Sequence, residues 1–165
     1  MKHQQGFTLI ELIVVIVILG ILGATALPRF ATLASDARLA TLNAARGSLA
    51  STGAMARGSW LVAATPPANV TYEGVLISLN ANSGYPTANA NLAAAAGITA
   101  ADFTIIGPGT GLGVNNPATT ADQIAVIPNS VATTPVGLTC FVMYTTPTAA
   151  NTLPTITVPA TSASC

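Results

Sequence analysis

The chain has 165 residues, of which 51% are apolar and only 6% are charged, and its five bases balance its five acids. Such sparse, balanced charge gives no basic surface for long-range capture of nucleic acid or acidic lipid, so neither partner is indicated. The composition is also unlike that of disordered chains, which combine low hydrophobicity with high net charge.

An apolar run from Phe7 to Leu27 dominates the first part of the chain. As a helix it measures about 32 Å, close to the roughly 30 Å hydrocarbon core of a bilayer. Glu11 is the only charged residue in this run. An ionised acid in hydrocarbon costs roughly 2.5 kcal/mol or more. Because the run has no basic side chain, we expect a cation from outside it to pair with Glu11.

Residues 1–6 precede the apolar run and contain Lys2 and His3 but no acid. By the positive-inside rule, this end faces the cytoplasm. A secretory signal is normally cut after its apolar region, and Ala24-Thr25-Ala26 is a possible site of that kind. Cleavage there remains an alternative, although it discards Glu11 without giving it a role.

The residues around Gly6 resemble the processing site of type IV prepilins and type II secretion pseudopilins, in which glycine is followed by Phe-Thr-Leu-Ile-Glu. The resemblance implies that a prepilin peptidase cuts after Gly6 and methylates the amino group of Phe7. It also implies that Glu11 pairs with the Phe7 amine of a neighbouring subunit. Gly20 and Pro28 coincide with the helix-loosening glycine and kinking proline of type IVa pilins. A signal-anchor helix with a chance acid is the alternative interpretation.

Beyond Pro28 the pattern becomes amphipathic, with Leu33, Leu42 and Leu49 near one helical face. The predicted helix ends at Arg57 or Gly58 and is roughly 75 Å long, so its first half must protrude from any compact domain of this size. The predicted domains are a leader (1–6), a helix (7–58, with a membrane or filament-core half, 7–27, and an amphipathic half, 28–58) and a β-rich head (59–165).

Short β-prone runs separated by turn signals follow residue 58. The runs are Gly74 to Leu79, Phe103 to Ile106, Gln123 to Ile127, Cys140 to Thr145 and Thr155 to Val158, and a short helix is possible within Ala88 to Ala101. The predicted fold class is α+β, in which the amphipathic half of the helix packs on a small antiparallel sheet. This architecture resembles the ladle shape of type IV pilins.

The chain has two cysteines, Cys140 and Cys165. Beyond a membrane segment the compartment is expected to be oxidising, which favours a disulfide over two free thiols. Closing a loop of about 26 residues contributes about 3–4 kcal/mol on the chain-entropy model. The pair also matches the bridged C-terminal loop of type IV pilins, which major pseudopilins usually lack.

Three further segments resemble the mannose-sensitive haemagglutinin pilins. They are Ala37-Arg38, Gly84-Tyr85-Pro86, and the run from Cys140 to Tyr144 with Ile156-Thr157-Val158 and Cys165 after it. This subgroup is the closest resemblance within the type IVa-like pilins.

The sequence offers little for catalysis. Without the leader, the chain has no imidazole and no lysine, so nucleophile activation by histidine and Schiff-base chemistry are excluded. We therefore expect no enzyme activity and no cofactor. The glycine-rich run Gly107 to Gly113 lacks the Gly-Lys-Ser/Thr ending of a phosphate loop and is interpreted as a surface loop.

Three weaker binding hypotheses remain. Asp102 and Asp122 could ligate calcium together with nearby oxygens. Asn69-Val70-Thr71 is a glycosylation sequon. Aromatic side chains could form a sugar-stacking surface, although core packing is the commoner role; these are Trp60, Tyr72, Tyr85 and Tyr144.

The favoured function is that of a structural subunit of a bacterial type IV pilus used for adhesion to surfaces. The resemblance implies a homo-oligomeric helical filament and assembly by a cytoplasmic ATPase, an inner-membrane platform protein, a prepilin peptidase and an outer-membrane secretin. The subunit is expected in the inner membrane first and then in an extracellular pilus. The alternatives are a type II secretion pseudopilin and a monomeric membrane-anchored binding module.

Overall fold

The computed structural model describes residues 8–159 and 161–165, and residues 27–31 are described by their backbone alone. Its longest element, α1, spans Leu9–Val62 and has 54 residues, or about 80 Å. Within α1, the segment Leu9–Ala26 has a mean hydropathy of 2.7 and none of it is buried. By length and composition, this half of α1 can cross a membrane. The predicted processing residues Gly6 and Phe7 lie outside the described residues.

The predicted end of the helix at Arg57 or Gly58 is wrong by about one turn, because α1 continues to Val62. Glycine inside a helix costs only about 1 kcal/mol relative to alanine, and contacts beyond it offset that cost. The Ser59 hydroxyl lies 2.8 Å from the Tyr72 hydroxyl on the head. The helix instead ends shortly before Pro66, whose ring disfavours helical geometry at the preceding residue.

Gly20 and Pro28 do not interrupt α1, whose helical backbone is continuous through both positions. Proline removes one backbone donor and glycine weakens the helix locally, so both remain points at which α1 opens at low cost. Loosening of the helix between them in a packed assembly stays a prediction.

The head contains two antiparallel sheets and a short helix. A hairpin joins β1 (Asn69–Tyr72) to β2 (Val75–Ser78), and α2 (Ala90–Ala95) follows it. The larger sheet has the order β3 (Phe103–Ile106), β4 (Gln123–Pro128), β5 (Val142–Thr145) and β6 (Thr155–Thr157). Short 3₁₀ turns occupy Pro135–Leu138 and Ser162–Ser164. The predicted α+β architecture is confirmed.

The prediction missed β1 and therefore placed one sheet where there are two. Asn69-Val70-Thr71 had suggested only a sequon, but Tyr72 pairs with Val75 across a two-residue turn. Both turn residues, Glu73 and Gly74, have positive φ, at 50° and 79°. This geometry matches the twist of a hairpin. The alternation of half-buried Val70 and Tyr72 with exposed neighbours was the available signal.

The hydrophobic core lies between the second half of α1 and the inner face of the larger sheet. Leu42 and Leu49 of α1 are fully buried, in one cluster with Ile124 of β4 and Tyr144 of β5. Leu33 was expected on the same face but is 60% exposed, because it precedes the part of α1 that the head covers. The stripe from Leu42 onward is therefore what attaches the head to α1.

A disulfide joins Cys140 to Cys165, with 4.7 Å between their Cα atoms. The bridged tail lies against α1, where the Arg38 guanidinium donates 2.7 Å to the Cys165 carbonyl oxygen. The Thr139 hydroxyl also donates 2.7 Å to the Ser164 carbonyl. The bridge therefore fixes the tail to both α1 and the segment before β5.

Replacing both cysteines, as Cys140→Ser with Cys165→Ser, should lower the free energy of unfolding by about 3 kcal/mol, because the loop between them is no longer closed in the unfolded chain. Guanidinium titration of the full chain in detergent, followed by Trp60 fluorescence, measures the change. Reductant should produce the same shift in the wild-type chain and none in the double variant. Equal stability of all samples would contradict a stabilising bridge.

Candidate functional site

The N-terminal end of α1 is closed by a capping box made by Thr8 and Glu11. The Thr8 backbone N–H and hydroxyl donate to Glu11 Oε2 at 2.8 Å and 2.7 Å. In return, the Glu11 N–H donates to the Thr8 hydroxyl oxygen at 3.4 Å. A negative group is also favoured here by the positive end of the helix dipole. The carboxylate of Glu11 is thus held at the start of the helix.

The capping box gives Glu11 a partner that the sequence analysis missed. Thr-x-x-Glu before an apolar run is the signature of this motif, so the signal was available. Within the described part of the chain, Glu11 Oε1 accepts no hydrogen bond. One carboxylate oxygen therefore remains available to a donor from outside these residues.

The apolar side chains that follow Glu11 face outward on all sides of α1. From Leu9 to Leu22, the large ones expose between 46% and 75% of their surface. Exposed apolar surface of this extent marks contact with a membrane or with other protein. The site therefore combines one carboxylate with a helix that needs lipid or other helices around it.

The two aspartates of the calcium hypothesis do not converge. Asp102 directly precedes β3 and Asp122 precedes β4. Because these strands are antiparallel, with Phe103 opposite Pro128, the two carboxylates lie at opposite ends of the ladder. A group of three or more residues able to hold a metal is absent from residues 8–159 and 161–165.

The glycine-rich loop is closed by its own hydrogen bonds. The Gly109 N–H donates 2.9 Å to the Thr120 carbonyl. The Thr110 N–H donates 3.0 Å to the Thr119 hydroxyl, which itself donates 2.6 Å to the Gly107 carbonyl. These amides are already bonded and cannot cradle a phosphate, which favours the surface-loop interpretation.

Two of the four candidate stacking aromatics serve the core. Tyr144 is fully buried, and its hydroxyl donates 2.8 Å to the Pro86 carbonyl. Burial, together with the neighbouring Tyr85, raises the pKa of the Tyr144 hydroxyl well above its usual value. Tyr72 bonds Ser59 of α1. The half-buried Tyr72 also packs against the smaller core cluster that contains Ile77.

The other two aromatics enclose Arg57 near the end of α1. Its guanidinium carbon lies 4.8 Å from the centre of the Trp60 ring and 5.5 Å from that of Tyr85. Its Nη2 reaches Asn151 at 3.5 Å. Cation–π contacts of this kind contribute roughly 0.5–2 kcal/mol. Sequence reasoning grouped Trp60 with Tyr85 as possible stacking aromatics but did not include Arg57, and the fold brings Tyr85 to the other two.

Residues 1–27 match the family of the prokaryotic N-terminal methylation motif. The predicted methylation motif is therefore confirmed. Over 54 residues the chain is 50% identical to the type IV narrow pilus major component PilA5 of Thermus thermophilus. That alignment covers 33% of this chain and 47% of the relative, so the chain spans less than half of the relative's length. Comparison with solved structures gave no match.

Gly84 packs directly under the Trp60 ring, and an added Cβ at this position would lie 2.5 Å from Trp60 Cδ2. The φ of Gly84 is +71°, which also favours glycine. Gly84→Ala should cost about 1–2 kcal/mol of backbone strain and about 1–3 kcal/mol of overpacking. Gly97→Ala is the matched control, because Gly97 has φ +73° and open space around it. Denaturant titration should show the larger loss for Gly84→Ala, and equal losses would contradict the packing.

Proposed function

We propose that this chain is a structural subunit of a bacterial type IV pilus and assembles into a homo-oligomeric helical filament through α1. One observation carries the proposal. The segment Leu9–Ala26 of α1 is apolar, exposed and long enough to cross a membrane, and Glu11 is its only charged residue. It lies within the match to the N-terminal methylation motif. The likeness to a pilus major component supports the same function.

Assembly follows from the two environments that α1 can occupy. In the bilayer, lipid covers the apolar surface and Thr8 satisfies one oxygen of Glu11. In a filament, helices of other copies replace the lipid, and the other oxygen of Glu11 accepts a hydrogen bond from the Phe7 ammonium of a neighbouring copy. A buried ion pair offsets its desolvation only when its remaining hydrogen bonds are made. The capping box already provides hydrogen bonds from Thr8 to Glu11 before the ion pair forms.

Gly20 and Pro28 have a secondary role in this proposal. Close packing of many copies of α1 requires the helix to adjust its path, and both residues weaken it locally. We assign local opening of α1 to the segment between them.

The proposed partners are those that the prepilin motif implies. A prepilin peptidase acts at Gly6 and Phe7, and an assembly ATPase, a platform protein and a secretin move the subunit from the inner membrane to the cell surface. Attachment to surfaces is the proposed use of the filament.

Within the type IVa-like pilins, we propose closeness to the mannose-sensitive haemagglutinin pilins. Two of the segments that carry the resemblance meet in the fold, since the Tyr144 hydroxyl bonds the Pro86 carbonyl. The disulfide supports the same assignment, because it closes the tail in the manner of pilin heads.

A type II secretion pseudopilin is the second candidate, because the same Glu11 logic applies to it. The Cys140–Cys165 bridge favours the pilus. Electron microscopy of cells for long surface fibres separates the two, since a pseudopilin forms a short periplasmic structure. A monomeric membrane-anchored module would form neither.

Processing at Gly6 is tested on assembled material. N-terminal mass spectrometry should find Phe7 as the first residue with one methyl group on its amine, because Gly6 directly precedes the retained apolar run. Unassembled subunits extracted from the membrane are the control, because they show whether cleavage precedes assembly. Filaments that begin at Met1 would refute this processing.

Glu11→Gln should block efficient fibre formation without preventing membrane insertion. The variant loses a charge that is costly in lipid, so insertion should be unharmed. In the filament it leaves the Phe7 ammonium unpaired, at a cost of about 3–5 kcal/mol. Cell fractionation with shear-released fibre counts measures both steps. Thr8→Ser, which keeps the hydroxyl, is the matched control and should assemble normally. Normal fibres from Glu11→Gln would leave packing alone as the basis of assembly.

A further inference from the structure

A groove beside the second half of α1 is left open by the fold. It has a volume of about 290 Å³ and is lined by Arg46, Ala50 and Ala54 of α1, by Leu153 and Ile156 around β6, and by Tyr85. Leu153 exposes 77% of its surface. Arg46 is also exposed, and its guanidinium makes no hydrogen bond or ion pair with the described residues. The groove thus has apolar walls and an unpaired cation at one end.

A matching projection occurs elsewhere on the chain, at the tip of the β1–β2 hairpin. Glu73 is exposed there, and its carboxylate accepts no hydrogen bond from the described residues. Its φ of +50° lies in the left-handed region. Asparagine or glycine adopts this conformation at lower cost, so the turn alone does not explain a glutamate. Strained residues of this kind are concentrated at functional contacts.

The groove and the projection lie at different levels along α1 within one chain. The bond between Tyr72 and Ser59 holds the hairpin level with Ser59. Arg46 lies 13 residues earlier on α1 (59 − 46), which is about 20 Å along the helix axis. A second copy displaced by about 20 Å along a common axis brings its hairpin tip to the level of the groove. Contacts between different surfaces of identical chains generate rings or filaments.

We propose that the groove of one copy receives the β1–β2 hairpin tip of the next copy, with the Glu73 carboxylate paired to the Arg46 guanidinium. This contact rests on the proposed filament function and names the part of the head that joins neighbours. Once the hairpin tip covers the groove, its apolar walls shield the pair from water, and the complementary charges make the contact specific. The other acids beyond the apolar segment are not on a projecting hairpin, since Asp36 lies within α1 and Asp102 and Asp122 lie at strand ends of the larger sheet.

Charge reversal tests the contact in cells that assemble the full chain. Arg46→Glu and Glu73→Arg should each reduce shear-released fibres about tenfold or more, because each places like charges together. The double variant, Arg46→Glu with Glu73→Arg, should recover to within about threefold of wild type. Asp102→Arg, a reversal of an exposed acid outside the contact, is the matched control and should assemble normally.

Glu73→Asn separates assembly from folding. Asparagine suits the left-handed turn, so this variant should unfold at the same or a higher denaturant concentration than wild type. It should still form fewer fibres, because it lacks the charge. Fewer fibres from a chain at least as stable supports the contact, and normal fibres overturn it.

The outcomes distinguish this contact from the filament proposal itself. Absence of fibres from the wild-type chain contradicts the filament function. Wild-type fibres together with normal assembly of both single reversals, or failure of the double variant to recover, contradict only the pairing of Glu73 with Arg46.

Discussion

The two halves of α1 need different surroundings, and this difference determines where the head is attached. The first half of α1 is apolar on every side and exposed, so it is stable only within lipid or among other helices. The second half has one apolar face, which the head covers through Leu42 and Leu49. The same helical backbone runs through both halves, so α1 links the head directly to the exposed apolar segment. In the proposed assembly, Glu11 would favour the filament over the bilayer, since its charge is costly in lipid and can be paired among helices.

The head is fastened to α1 near both ends of the covered part. Toward the apolar half, Arg38 bonds the carbonyl of Cys165, and the disulfide ties that tail to Cys140. Toward the end of α1, Ser59 bonds Tyr72, and Trp60 packs over Gly84. Between these attachments lies the hydrophobic core. A small head with few charges thereby gains a fixed orientation on the helix, which any regular assembly of copies requires.

Sequence patterns predicted what is local and missed what depends on long-range contacts. The apolar run and β3, at Phe103–Ile106, were predicted because their patterns are carried by adjacent residues. The end of α1 was placed too early at Gly58, since Tyr72 and the head support the helix beyond it. The enclosure of Arg57 by two aromatics was not predictable, because Tyr85 is distant in sequence. The bond between Thr8 and Glu11 was predictable from its spacing and was overlooked.

The scarcity of charge makes each charged side chain informative. Glu11 is bonded by Thr8, Arg38 holds the tail, and Arg57 lies between aromatic rings. The exposed acids Asp36, Asp102 and Asp122 also have no side-chain partner among the described residues. Arg46 differs from them in lying at the apolar walls of a groove, and Glu73 differs in a backbone conformation that other residues adopt more easily. Both features are unexplained within one copy and are accounted for together by a second, which is the reason to place the contact between heads at these two residues.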